Sequence, residues 1–91
     1  MNYDDLPNLT GKTVSFSLQL DEYLAVIENP RFEVQGGRLF VRGITPKGAS
    51  GGDWLEGVDC AVAWDSVTRY HVFSSSEDYF LHQEKAFDER V

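Results

Sequence analysis

The stretch R-F-E-V-Q-G-G-R-L-F-V-R, Arg31 to Arg42, constrains the fold more than any other part of the chain. Gly36-Gly37 stands between two alternating runs, and a two-residue primed turn needs positive φ at both central positions. With the glycines at the tip, Gln35 faces Arg38, Val34 faces Leu39, Glu33 faces Phe40 and Phe32 faces Val41. Directly opposed residues share a sheet face, so Phe32, Val34, Leu39 and Val41 form one apolar face. A one-residue slip scatters that set. The other face carries Arg31, Glu33, Gln35, Arg38, Phe40 and Arg42, with Glu33 diagonal to both Arg38 and Arg42. Phe40 is the one large apolar group on this polar face.

Three further segments alternate. In Lys12–Leu20, Val14, Phe16, Leu18 and Leu20 interleave with Thr13, Ser15, Ser17 and Gln19, which predicts a half-buried strand. In Gly57–Asp65, Val58, Cys60, Val62 and Trp64 point one way and Asp59, Ala61 and Ala63 the other. The run T-R-Y-H-V-F follows after a tight bend or 3₁₀ turn at Asp65-Ser66. Residues 21–28 favour a two-turn helix, with Asp21 as N-cap and Asn29-Pro30 as its stop, strand being the alternative. Ser74 with Glu77, and Ser75 with Asp78, are two capping boxes that open a C-terminal helix of about three turns.

Ninety-one residues, 42% hydrophobic, make one domain. The expected fold is mainly β: a small antiparallel curled sheet, or an SH3-like barrel, of four to five strands with a short C-terminal helix. The acidic opening Met1–Asp5 predicts no signal peptide, and no apolar run reaches the ~20 residues of a membrane span. A lone cysteine suits a reducing compartment, which predicts a soluble cytoplasmic protein.

The motifs that carry chemistry fail on context. Gly48-Ala49-Ser50-Gly51-Gly52 matches the spacing of a nucleophile elbow, but hairpins replace the strand–turn–helix setting that such a serine needs. Gly11-Lys12-Thr13 lacks the upstream glycine of a phosphate loop and runs into a strand. Cys60 sits at an inward strand position, where a free thiol behaves as a small hydrophobe. His71 and His82 have no second cysteine or helical pairing to build a zinc site. Asp53, Glu56 and Asp59 lack a calcium-loop pattern. No cofactor, metal or catalytic set is expected.

Charge supplies the functional hint. The chain carries −7, yet residues 31–47 set Arg31, Arg38, Arg42 and Lys47 against Glu33 alone, giving +3 and leaving −10 elsewhere. That balance argues against nucleic acid. It favours a protein-interaction module that binds a protein partner through Arg31, Arg38, Phe40 and Arg42 or through an unpaired strand edge. Weak self-association, with the basic hairpin meeting the acidic surface of another copy, is included in this reading. The alternatives are an acidic decoy for a basic partner, using Asp53, Glu56, Asp59, Asp65 and the C-terminal acids, and a small enzyme using His71 or Ser50.

Overall fold

The computed structural model describes residues 5–20, 24–49 and 55–88, without the side chains of 86–88. Five strands, β1 (Thr13–Leu18), β2 (Ala25–Gln35), β3 (Arg38–Ile44), β4 (Asp59–Ala63) and β5 (Val67–Phe73), form one antiparallel sheet in the order β4-β3-β2-β1-β5. A 3₁₀ turn at Trp64–Ser66 joins the two edge strands, and helix α1 (Ser76–Asp88) closes the described chain. The sheet does not close into a barrel, since β4 and β5 both lie at its ends. No helix among the described residues is long and apolar enough to cross a membrane.

The β2–β3 hairpin has the register that its turn demands. Gln35 pairs with Arg38, Val34 with Leu39, Glu33 with Phe40 and Phe32 with Val41. Gly36 and Gly37 adopt φ of 58° and 78°, as the primed turn requires.

Residues 24–28 correct the helical expectation: Ala25–Glu28 is strand, paired with Phe16–Thr13 of β1. Ile27 and Val26 are buried on opposite faces, at 0% and 6% exposure, so the polar alternation that marks a half-solvated strand is missing. Residues 21–23 lie outside the described residues.

Asn29-Pro30 does not end this element but bends it. Between Glu28 and Arg31 the register against β3 shifts by one residue, and Asn29 takes φ 52°. This is a β-bulge, one of the few sheet positions open to proline. Asn29 N–H donates to the Lys12 carbonyl and Asn29 Oδ1 accepts from Gly11 N–H, each at 2.8 Å. The bulge lets one strand serve two partners, β1 through its first half and β3 through its second. It also inverts parity: odd positions Ala25 and Ile27 point to the inner side before it, even positions Phe32 and Val34 after it, Val34 remaining exposed near the hairpin tip. Opposite the bulge, Gly43 allows close approach. A Cβ there would lie 2.5 Å from Ile27 Cγ2 and 2.7 Å from the Glu28 carbonyl oxygen.

The core gathers on the inner side of the curled sheet. Leu9, Val14, Phe16, Ile27, Val41 and Val62 are buried together, with Leu18, Phe32, Cys60, Trp64 and Val67 packed against them. An aromatic ladder spans the opening between the edges: Phe32 to Trp64 at 5.1 Å, Trp64 to Tyr70 at 5.7 Å, and Tyr70 to Phe16 at 6.2 Å. Five of the alternating apolar positions are not core: Val34, Tyr70 and Val72 point inward yet are 49%, 36% and 48% exposed, and Leu20 and Val58 lie off the strands. Leu20 lies beyond β1 at φ 67° and is fully exposed, and Val58 precedes β4 and is 44% exposed.

The outer side is divided. At the β1–β5 end it is covered, which is why Thr13 and Ser15 are buried where a solvated face was expected. Thr13 Oγ1 meets Ser76 Oγ at 2.7 Å, Ser76 Oγ donates to Glu28 Oε2 at 2.9 Å, and Tyr79 packs edge-on against Phe73. Of the two capping boxes, the second forms in part. Ser75 Oγ accepts from Asp78 N–H at 3.0 Å, while the Asp78 carboxylate accepts from Ser74 N–H at 3.1 Å. The segment after β3 begins packed: Thr45 and Pro46 are buried. Thr45 also exchanges backbone bonds with Gly57 and Val58. Residues 50–54, including Ser50 and Asp53, lie outside the described residues.

Candidate functional site

The other half of the outer side is the face that the hairpin sequence points to. β2 presents Arg31, Glu33 and Gln35, β3 presents Arg38, Phe40 and Arg42, and β4 adds Asp59. The described contacts of α1 include β5, Thr13 and Glu28. Phe40 is half-buried, and the Arg38 guanidinium stands 5.8 Å from its ring centroid.

The arginines differ in how they are held. Arg42 is clamped between two carboxylates: Nη1 donates to Glu33 Oε2 at 2.6 Å, and Nη2 donates to Asp59 Oδ2. Its Nε is buried with no partner. Arg38 pairs with Asp65 at 2.8 Å, an exposed contact between the hairpin and the 3₁₀ turn. Glu33 therefore uses only one of its two diagonal arginines. Arg31, directly across from Arg42, makes no ion pair among the described residues.

Hydrogen bonding by Arg42, and then by Gln35, holds the Glu33 carboxyl below its ordinary range. Arg38 does the same for Asp65, and Asp65 in turn raises Arg38. The +3 of residues 31–47 is thus not the charge of this surface. Glu33, Asp59 and Asp65 stand against Arg31, Arg38 and Arg42, and the plate sums to zero. The decoy reading is affected by the same contacts, because Asp59 and Asp65 are engaged with arginines.

The remaining candidates are scattered. Cys60 is half-buried against the core, and burial pushes its thiol up, away from nucleophilic character. His71 is exposed on β5 beside Arg69 and across from Ser15. His82 is exposed on α1, its Nδ1 2.9 Å from the Asp78 carbonyl oxygen. Among the described residues no three His, Cys, Asp or Glu side chains are grouped to hold a metal. Glu56 is exposed and apart from Asp59's ion pair.

One further feature has no mark in the sequence pattern. Beside the aromatic ladder, Trp64, Val67, Thr68, Arg69 and Tyr70 line an open groove of about 280 Å³ along β5. The alternation of T-R-Y-H-V-F marked the strand, but only the sheet order makes it an edge. Comparison with protein-family models, curated proteins and solved structures gives no match.

Proposed function

We propose that the protein is a small interaction module that binds another protein through the plate of Arg31, Arg38, Phe40 and Arg42. The observation that carries this reading is Phe40, partly exposed on a polar face with the Arg38 guanidinium over its ring. Arginine and aromatic side chains concentrate binding energy at interfaces, most effectively where they are already ordered. Arg42 is ordered by its two carboxylates and frames the site. Arg38 is held only by an exposed pair, which contributes little, so a partner's carboxylate can replace Asp65. Since the plate is neutral overall, the fitting partner is a mixed polar surface with an apolar knob for Phe40, not a strongly acidic one. The same proposal takes in an SH3-like arrangement, supported by the strand order and the 3₁₀ turn between β4 and β5. It also takes in a cytoplasmic setting, supported by the single cysteine.

The test is site-specific photo-crosslinking in the native host, with a benzophenone amino acid at Phe40 and, as control, at Thr68 on β5. A discrete product from position 40 that disappears on Arg31→Ala/Arg38→Ala supports the plate. Identical products from both positions, or a product indifferent to the arginines, would sink it.

A further inference from the structure

The sheet ends in two unlike edges that fit one another, and they share only Asp59 with the plate around Arg38 and Phe40. Among the described residues, neither β4 nor β5 has a strand on its outer side. From Thr68 to Val72, β5 is exposed at every position. It is rich in β-branched and aromatic residues, and such an edge is a template for another strand. Its apolar side chains Tyr70 and Val72 are 36% and 48% exposed, although they pair with the buried Phe16 and Val14 on the inner face. At the opposite end of the sheet, Val58, two residues before the inward Cys60, is 44% exposed. On the outer faces the charges are opposed: β5 presents Arg69 and His71, β4 presents Asp59.

These features converge on a single register. Laid antiparallel, with His71 across from Asp59 of a second copy, Tyr70 meets Cys60, and Val72 meets Val58 once the pairing runs one residue past the start of β4. The two exposed valines become a pair, inner face continues into inner face, and Arg69 lies diagonal to Asp59. A one-residue slip breaks every one of these matches, because it sends inner side chains to the outer face. Asp59 can serve both Arg42 of its own chain and the incoming cations, since a carboxylate offers about four acceptor sites.

We propose that the β5 edge takes the β4 edge of a second copy of this chain, head to tail. Each copy gives one edge and receives the other, so the contact is heterologous and builds a closed ring or an open filament. The net charge of −7 opposes close approach of copies. At physiological ionic strength screening over ~8 Å confines that repulsion, while the matched charges at the edge remain in contact.

The experiment is sedimentation velocity and light scattering on the full chain at physiological salt and high micromolar concentration. The wild type is expected well above the monomer mass of 10.3 kDa. Arg69→Asp and Asp59→Arg are each expected to be monomeric. An equimolar mixture of the two should reassociate, since each variant's reversed edge complements the other's. A monomeric wild type overturns the proposal, as does an oligomer that Arg69→Asp leaves intact or a mixture that stays monomeric. If Asp59→Arg loses the native circular dichroism through its missing Arg42 contact, Val58→Lys replaces it. That exposed substitution should give a folded monomer, and a persisting oligomer would refute the register. Photo-crosslinking at Phe40 reports on the other surface, so the two readings can fail separately.

Discussion

The bulge at Asn29 makes a quantitative prediction, because one side chain does two separable things. At φ 52° an ordinary L-residue pays a steric cost of about 1–2 kcal/mol, which asparagine largely escapes. The Oδ1 acceptor of Gly11 N–H contributes a net 0.5–1.5 kcal/mol, roughly the value of an ordinary hydrogen bond. Asn29→Ala removes the bond and imposes the strain, for a loss of about 2 kcal/mol. Asn29→Gly removes the bond but fits the backbone, so the loss is smaller by about 1 kcal/mol, less whatever glycine adds to the freedom of the unfolded chain. Asn29→Asp keeps both the acceptor and the tolerance of positive φ, and should stay within about 0.5 kcal/mol of wild type. Urea unfolding followed by circular dichroism resolves these steps. For a domain of this size the alanine variant should melt about 8–16 °C lower. Equal losses for alanine and glycine would refute the strain argument, and a glycine variant as stable as wild type would show that the Gly11 bond contributes nothing.

Gly43→Ala should cost about 1–3 kcal/mol, because the new methyl would meet the Glu28 carbonyl, which the β2–β3 ladder holds in place. An unchanged urea midpoint would show that the strands part at no cost. Acid should weaken the fold through Glu33 and Asp65, whose folded pKa values lie below their ordinary 4.5 and 3.8. The unfolded chain then binds more protons in that window, so their contribution is complete above pH 4.5 and is lost as pH falls through the depressed folded values. In Glu33→Gln/Asp65→Asn the urea midpoint should fall less steeply between pH 5 and 3 than in wild type. Parallel profiles would assign the acid sensitivity to other carboxylates.

What could be read from the sequence followed from how local the determining forces are. The hairpin was legible because turn chemistry and period-two patterning sit in adjacent residues and agree. Ser75 announced the start of α1 for the same reason: its partner, Asp78, is three residues away. The first half of β2 was not legible, because Val26 and Ile27 are buried by different layers and no solvent-facing position marks the period. Asn29-Pro30 then looked like a helix stop, since a bulge shows itself only against a partner strand. Leu20 and Val58 kept perfect alternation yet fall outside the strands, where pattern no longer implies burial.

The charge of the plate is the most instructive case, because it follows from register alone. Arg42 pairs with Ala61 and Ile44 with Asp59, so Asp59 lies diagonal to Arg42 just as Glu33 does on the other flank. Phe40 pairs with Ala63, and continuing the same register two residues brings Asp65 across from Arg38. The contact forms even though the 3₁₀ turn has begun there. Each acid thus occupies the position that β3 dictates, and a one-residue slip of β4 would send Asp59 inward and Cys60 outward. The hairpin turn fixes β2 against β3, but no short turn fixes β3 against β4, since residues 45–58 intervene. Arg38 and Arg42 are therefore register pins for β4 and the turn that follows it. Arg42, held by both neighbouring strands, serves the sheet first. If the plate binds a partner as proposed, the recognition falls to Arg38, held only by its exposed pair with Asp65, and to Arg31, which has no ion pair among the described residues.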